Sequence, residues 1–343
     1  MAEIVTEVCR IENIIPHDNA DKLEVCQIKG WQCIVKKGEF KVNDLVVYFT
    51  PDTILPQKVT DRLGVSSYCS IKSQGMRIKS VKLRGQVSMG LVIPIENSTW
   101  TEGTNVSIFY SATKYIPPVV LNNADAVAEN NLFPRYTEIE NLRNNTRVIE
   151  PGEEVVISEK LNGMNNRTGI LNGEPVAGTH RVQRQCPDDA FMASNMAWFP
   201  WTITSVRDML KQLGTQYKVV ILYGEVYGTI QKGFPYDAPQ LGYRAFDLFL
   251  DGKYVDFDIF KNTCDMFKVP IVPILYRGPY SLDKVKEFSE GKSTLNPGHM
   301  REGIVCRLVK ERFIRNIGRV IFKFLGNEYL ASKHHEENDT TDN

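Results

Sequence analysis

The feature that most constrains this chain is a rhythm of short, β-rich runs. Thr6 to Asn13, Leu23 to Ile28, Gln32 to Val35, Leu45 to Phe49, Met76 to Leu83 and Gly90 to Ile93 are rich in β-branched and aromatic residues. Turns carrying Gly30, Gly38, Asn43-Asp44 and Gly85 part them. Short strands at this spacing predict a small all-β barrel over residues 1–110. After about residue 150 the rhythm changes. Strand-like runs at 153–158, 166–171, 218–223, 243–250, 302–309 and 318–324 mix with helix-like stretches at Asp188 to Ala197, Thr202 to Gly214, Asp256 to Phe267 and Ser281 to Glu290. The two kinds do not alternate regularly, so residues 151–332 read as an α+β domain and not a doubly wound sheet. Residues 111–150 form a connector. Pro117-Pro118 breaks regular structure, Asn122 to Asn131 is polar, and Glu138 to Asn145 is a predicted helix with Thr137 as its N-cap.

The 343 residues carry 41 basic and 41 acidic side chains, a neutral total that hides an uneven distribution. Residues 333–343 hold one lysine against four carboxylates and no apolar residue, which predicts a disordered acidic tail. Between Arg62 and Ile95 there is no acid, only Arg62, Lys72, Arg77, Lys79, Lys82 and Arg84. Several of these alternate with Ile78, Val81 and Leu83, so one barrel face is expected to be positive. That suits a phosphate backbone, with Arg77, Lys79, Lys82 and Arg84 as the RNA-contacting set. The plainer reading is a solvated strand face. The seven cysteines are scattered and the histidines add no metal-ligand spacing, which implies a reducing, intracellular (cytoplasmic) setting. No apolar run approaches the roughly 20 residues that a membrane span needs.

The chemistry centres on Ser158-Glu159-Lys160-Leu161-Asn162-Gly163, which follows the apolar run Val155-Val156-Ile157. A lysine at a strand end, three residues before a glycine, suits a nucleotidyl-transfer nucleophile and equally an ordinary surface lysine. Four segments downstream decide between them: Gly178 to Arg184, Leu222 to Gly228, Arg244 to Phe249, and Arg301 to Arg307 followed by Val320 to Phe324. No G-x-x-x-x-G-K-[ST] loop is present, so ATP use must rest on another device.

In this order the segments resemble motifs I, Ia, III, IIIa, IV and V of the covalent nucleotidyltransferases: ATP-dependent RNA and DNA ligases and mRNA capping enzymes. The resemblance is closest to RNA ligases with an N-terminal OB-fold domain. Lys82 to Gln86 with Gly90, and Phe133 to Glu138, also look like that subgroup. Pro16 to Cys26 resembles the opening of an OB-fold tRNA-binding module, with Gly38 to Val46 as its barrel turn. The implied fold is a nucleotidyltransferase domain of ATP-grasp-like ligase type behind a small OB barrel.

The resemblance further implies that Lys160 attacks the α-phosphate of ATP to give lysyl-AMP. Lys323 would hold that phosphate, and Glu302 would stand at a divalent metal, Mg2+ or Mn2+, or its waters. Glu225 would accept from the ribose hydroxyls, Phe246 would stack on adenine, and Arg181 would bind a phosphate, with His180 or Arg184 as alternatives for that place. Glu159 and Gly163 belong to the same nucleotide site, and Asp247 has a structural part. The partner would be RNA with 3′-OH and 5′-phosphate ends, sealed by a monomer in RNA repair. Three departures stand out. Asn162 occupies a place where the family commonly has an aspartate metal ligand. Leu325 replaces a second motif V lysine, which would pass phosphate contact to Arg307, Arg315 or Arg319. Asn141 stands where an arginine is frequent, with Arg143 as a substitute. The rival readings are a DNA ligase, disfavoured because such enzymes commonly carry their OB domain after the catalytic domain with a further basic motif at the end, where this chain has an acidic tail from Ala331 onward, a capping guanylyltransferase, disfavoured on the same ground, and a non-catalytic RNA-binding protein that uses only the barrel.

Overall fold

A computed structural model describes residues 6–116, 125–228, 236 and 240–332. The predicted acidic tail and Pro117-Pro118 lie outside the described residues. Chain contacts divide the molecule into two units: residues 6–116 with Leu142–Thr146, and the remainder.

The first unit is built from twelve short strands: β1 (Thr6–Arg10), β2 (Asn13–Pro16), β3 (Leu23–Ile28), β4 (Trp31–Lys36), β5 (Leu45–Phe49), β6 (Thr53–Leu55), β7 (Cys69–Lys72), β8 (Gly75–Ile78), β9 (Val81–Leu83), β10 (Gln86–Ser88), β11 (Leu91–Pro94) and β12 (Thr113–Lys114). Two helical turns, α1 (Gln57–Arg62) and α2 (Ser107–Tyr110), interrupt them. β5 runs between β1 and β11, while β2, β3 and β4 form a meander. Val8, Val47, Phe49, Leu55, Ile78 and Ile93 close a common core. Leu142–Thr146 packs here too: Arg143 is 1% exposed, donates from Nε to the Gly30 carbonyl at 3.1 Å, and lies over the Trp31 ring. It is therefore a packing residue of this unit.

The single strand expected over Met76 to Leu83 divides at Lys79-Ser80 into β8 and β9, which join different sheets. The alternating positive face is broken with it. Arg77 is 4% exposed; its guanidinium pairs with Asp52 at 2.6 Å and lies 4.2 Å from the Tyr115 ring centroid. Arg62 pairs with Glu96 at 2.6 Å. The acids that answer these arginines stand just outside the acid-free window, which is why the window looked more positive than the surface is. Lys79 is half-buried, and Lys82 and Arg84 remain exposed near the β9–β10 turn.

The second unit holds two sheets. The first has seven strands: β13 (Ala126–Val127), β16 (Met164–Leu171), β17 (Glu174–Thr179), β18 (Gln183–Arg184), β19 (Val219–Tyr227), β20 (Gly242–Leu250) and β21 (Lys253–Tyr254), in the order β13-β18-β17-β16-β19-β20-β21. The second has five: β14 (Glu140–Asn141), β15 (Glu154–Lys160), β22 (Ile274–Pro279), β23 (Gly303–Leu308) and β26 (Ile321–Leu325), in the order β14-β26-β23-β15-β22. A small ribbon, β24 (Phe313–Ile314) and β25 (Gly318–Arg319), lies between β23 and β26 in the chain. Named strand pairs are antiparallel except β14 with β26.

β19 shows how sequence sets the layers. Val220 and Leu222 face one way, into a core with Val206, Met209 and Leu210 of α5 (Thr204–Gly214) and Phe260 and Cys264 of α6 (Phe257–Phe267). Ile221 and Tyr223 face the other way, against Phe133, Tyr136 and Ile321 of the second sheet's side. Both faces are covered, so the strand reads as an unbroken apolar run. Helix α7 (Leu282–Ser289) begins where expected, with Ser281 Oγ accepting from the Lys284 N–H at 3.2 Å.

One expected helix is absent and another is shortened. Glu138 to Asn145 is instead β14 followed by a 3-10 turn, because pairing with β26 outweighs local propensity. Asp188 to Ala197 is helical only over α3 (Asp189–Met192). There Asn195 Oδ1 accepts from the Ala197 and Trp198 N–H groups and turns the chain into α4 (Phe199–Thr202). Helix α8 (Asn327–Leu330) ends the described chain. Among the described residues no helix is long and apolar enough to cross a membrane.

Candidate active site

β15 is the inner strand that delivers Lys160. It lies between β22 and β23, and Val155, Val156 and Ile157 are at most 1% exposed. Strand alternation then puts Ser158 and Lys160 on one face and Glu159 on the other. Lys160 stands opposite Gly303, the first residue of β23. Glu302, one residue earlier, therefore reaches it, and Lys160 Nζ lies 2.7 Å from Glu302 Oε1. The position of Gly303 tolerates no side chain: a Cβ there would sit 2.4 Å from the Phe324 carbonyl oxygen.

A cavity opens between the two sheets above this pair. Lys160 and Ser158 line it from β15, Val305 and Arg307 from β23, and Lys323 from β26. Among the described residues Lys323 makes no ion pair, and it stands beside Asn141 and Val305 in the sheet register. From the seven-stranded sheet come Gly163, Asn165, Glu225 and Phe246. Glu225 continues the row of Ile221 and Tyr223 and pairs in register with Asn165. A Cβ at Gly163 would lie 2.3 Å from the Val226 carbonyl oxygen and 2.9 Å from Glu225 Cγ, so this close approach requires glycine. Tyr136 to Ile139 and His180 also line it, with His180 Nε2 3.3 Å from Glu138 Oε1.

Phe246 owes its place to a bulge. Tyr223 faces Asp247 and Gly224 faces Ala245, so Phe246 is the extra residue. Two neighbours thus both address the opposite sheet. Asp247 does so through a sealed ionic network. It is fully buried, 3.2 Å from Arg307, 2.6 Å from Arg319, and accepts from Tyr136 Oη at 2.9 Å. Burial alone would push its carboxyl up, but the Arg307 and Arg319 guanidiniums outweigh that and hold it below the usual aspartate value. Burial and the Asp247 charge push the Tyr136 hydroxyl well up, keeping it a neutral donor. Glu311 pairs with both arginines, and Arg319 stacks 3.6 Å from the Tyr254 ring centroid.

The RNA ligase family model matches residues 153–325, the stretch that carries every strand just described around Lys160, and an OB-fold domain model matches residues 5–95. The chain belongs to the RNA ligase family. Solved structures of Naegleria gruberi RNA ligase match it over nearly its whole length. A variant with AMP and Mn is 24% identical, covering 96% of this chain and 98% of that one at a TM-score of 0.76. A variant with ATP and Mn is 23% identical, covering 98% and 99%, also at 0.76. The structure with PPi gives 23%, 96%, 98% and 0.74. No curated protein matches the chain.

Within this ligase fold the predicted residues fall into three groups. Lys160, Gly163, Glu225, Phe246 and Lys323 meet at one cavity, and Glu302 touches Lys160. Of Arg181 and its alternatives, only His180 lines the cavity; Arg184 pairs with Asp125 at 2.5 Å. Arg307 and Arg319 pair with Asp247 and Glu311, and of the two only Arg307 lines the cavity. Arg315 is exposed. Asn162 is 4% exposed, with its Nδ2 3.4 Å from Tyr329 Oη and its backbone N–H donating to Tyr236 Oη at 2.7 Å. Its side chain is turned to Tyr329 and away from the cavity wall. Glu159 lines the cavity, yet its carboxylate bonds Ser293 and Thr294 on the far side of the strand. Sequence reading missed Asn165, although its two-residue spacing from Gly163 along β16 was a usable signal.

Proposed function

We propose that this RNA ligase uses ATP and seals RNA 3′-OH to 5′-phosphate ends through lysyl-AMP and RNA-adenylate. The observation that carries the reading is Lys160, paired with Glu302 at 2.7 Å, in the wall of a cavity that Lys323, Glu225 and Phe246 also line. Lys160 Nζ, after losing a proton, attacks the α-phosphorus of ATP. An N–P bond forms, the bond to the bridging oxygen breaks, and pyrophosphate leaves with the electron pair. An oxygen of the RNA 5′-phosphate then displaces the lysine, which regains its proton. The RNA 3′-OH finally attacks that activated phosphate and releases AMP.

The residues divide these tasks by chemistry. Glu302 orients the Lys160 amine through its short contact. A carboxylate also stabilises the charged ammonium, so neighbouring positive charge must offset it, and Lys323 supplies one such charge. Glu225, an acceptor-only side chain, suits ribose hydroxyls. Phe246 presents a ring in the cavity wall for the base, and His180 with Asn165 offers further polar contacts.

A divalent cation fits these residues in one way only. Among the described residues no three His, Cys, Asp or Glu side chains gather as a cage. Mg2+ is commonly held by one or two carboxylates together with substrate phosphates and waters. Glu302 is placed to be that carboxylate, and the ion would neutralise charge on the phosphates. AMP, ATP and Mn in the Naegleria gruberi structures support the choice of nucleotide and metal class.

Incubation with α-labelled ATP and Mg2+, followed by denaturation, tests the reading. Label on the polypeptide that disappears in Lys160→Ala, and that ATP but not GTP supplies, is the expected result. Label that survives Lys160→Ala overturns it. Sealing assays on all-RNA, all-DNA and mixed nicks then test the requirement for RNA on the 3′-OH side.

A further inference from the structure

Glu159 adjoins the nucleophile but points away from it. It is 1% exposed, and its carboxylate has a full set of partners. Oε1 accepts from Ser293 Oγ at 2.5 Å. Oε2 accepts from the Thr294 backbone N–H at 2.8 Å and also from the Thr294 hydroxyl. Arg301 Nε lies 4.0 Å away. These partners belong to the segment that leads directly into Glu302.

That segment is a built loop. The Arg301 N–H donates to the Gly291 carbonyl at 2.8 Å and the Ser293 N–H to the His299 carbonyl at 2.9 Å. Asn296 Oδ1 accepts from the Gly298 N–H at 2.7 Å. The Arg301 guanidinium donates to the carbonyls of Phe288, Glu290 and Lys292 at the C-terminal end of α7. Two neighbours on β15 therefore face two neighbours at the loop's end, with opposite signs: Glu159 towards Arg301, and Lys160 towards Glu302.

We propose that Glu159 is a positioning residue: by clamping the Ser293–Arg301 loop to β15 it aims Glu302 at Lys160, and its carboxylate makes no contact with the nucleotide. The inference rests on the reading of Lys160 as the nucleophile. Its physical basis is the cost of orphaned donors. Without the carboxylate, the Thr294 N–H and two hydroxyls lose a buried acceptor, and the loop must open to water to satisfy them. Glu302 is rigidly continuous with that loop and moves with it.

The test compares wild type, Glu159→Ala, Glu159→Gln and Thr294→Val in the full chain. Single-turnover labelling by α-labelled ATP in excess Mg2+ gives the maximal rate and the half-saturating ATP concentration. Limited trypsin digestion, without nucleotide or metal, reports cleavage after Lys292 and Arg301. A misplacement of about 1 Å costs on the order of a hundredfold in rate, so Glu159→Ala is expected to lose about tenfold or more in maximal rate. Its half-saturating ATP should stay within about twofold of wild type, since no uniform binding interaction is lost. The loop should be cut faster. Glu159→Gln keeps an oxygen for the Thr294 N–H and is expected to recover most of the rate. Thr294→Val attacks the clamp from its other end and should show the same signature, smaller.

Half-saturating ATP that rises with an unchanged maximal rate would make Glu159 a nucleotide ligand and overturn the inference. Unchanged rate and unchanged cleavage in Thr294→Val overturn it too, even if Glu159→Ala does not fold. Failure of the wild type to label Lys160 sinks the functional reading instead, and the digestion pattern still reports whether the clamp exists.

Discussion

Two ionic clusters sit in the same unit and use the same chemistry to opposite ends. Lys160 and Glu302 meet at the wall of the cavity, with the lysine side chain 21% exposed. Asp247 with Arg307 and Arg319 lies just beneath, with side chains at most 5% exposed. The upper pair is open to whatever enters the cavity, so its partners can be exchanged for phosphate. The lower cluster is more enclosed: two guanidiniums and a tyrosine hydroxyl surround the fully buried Asp247, and Glu311, 22% exposed, pairs with both guanidiniums. A buried pair of this kind fixes geometry more than it adds stability, and removing one member leaves the others stranded. The comparison teaches that access, not charge, separates an ion pair that a ligand can reach from a buried one.

The sharpest way to break this contrast is Lys160→Ala. It should abolish protein labelling altogether while costing less stability than Asp247→Ala, because the lysine end of the pair is 21% exposed and one buried charge, Glu302, is stranded instead of two. Chemical denaturation beside the labelling assay checks both halves. Asp247→Ala should do the reverse, costing about 3–5 kcal/mol by stranding two buried guanidiniums. A loss under 1 kcal/mol in urea melts would show that Glu311 alone suffices for them.

Acid titration sharpens the same contrast more gently. The Asp247 carboxyl is held low in the folded state, so its contribution to stability is complete above about pH 4, the ordinary aspartate value. It is lost as pH falls through the lower folded value. Unfolding midpoints measured from about pH 6 to pH 2 should drop in wild type, and less steeply in Asp247→Asn. A parallel drop in both would rule out this linkage.

The smallest effects belong to the first unit, where the same distinction divides the arginines from the lysines. Lys82→Ala and Arg84→Ala should each weaken RNA binding and lower its salt slope by about one, with stability unchanged. Arg77→Ala should cost about 1–3 kcal/mol by unpairing Asp52, with the salt slope unmoved. Filter binding across a salt series, paired with thermal melts, separates the two behaviours.

Legibility in the sequence followed the range of the forces. β19 and its neighbours were readable because burial on both faces leaves an apolar run, and α7 because Ser281 caps it locally. The order of Lys160, Glu225, Phe246, Glu302 and Lys323 was readable through family resemblance, and these residues do converge. Partnerships across the sheets were not readable. Nothing local distinguishes Arg77, answered by Asp52, from Lys82, left in solvent. Nothing local marks Arg307 and Arg319 as partners of Asp247. The helix expected over Glu138 to Asn145 failed for the same reason, since its residues are recruited by a strand far along the chain.

That recruitment bears on where the ligase domain can be cut. The matched family segment begins at residue 153, but β14 adds to β26 from outside it, and Tyr136 to Ile139 line the cavity from outside it as well. Tyr136 also donates to Asp247. A fragment trimmed to the family boundary would keep Lys160 and lose one side of the cavity that it lines. The smallest separable catalytic piece therefore has to start upstream of Phe133, whose carbonyl the buried Arg167 holds from β16.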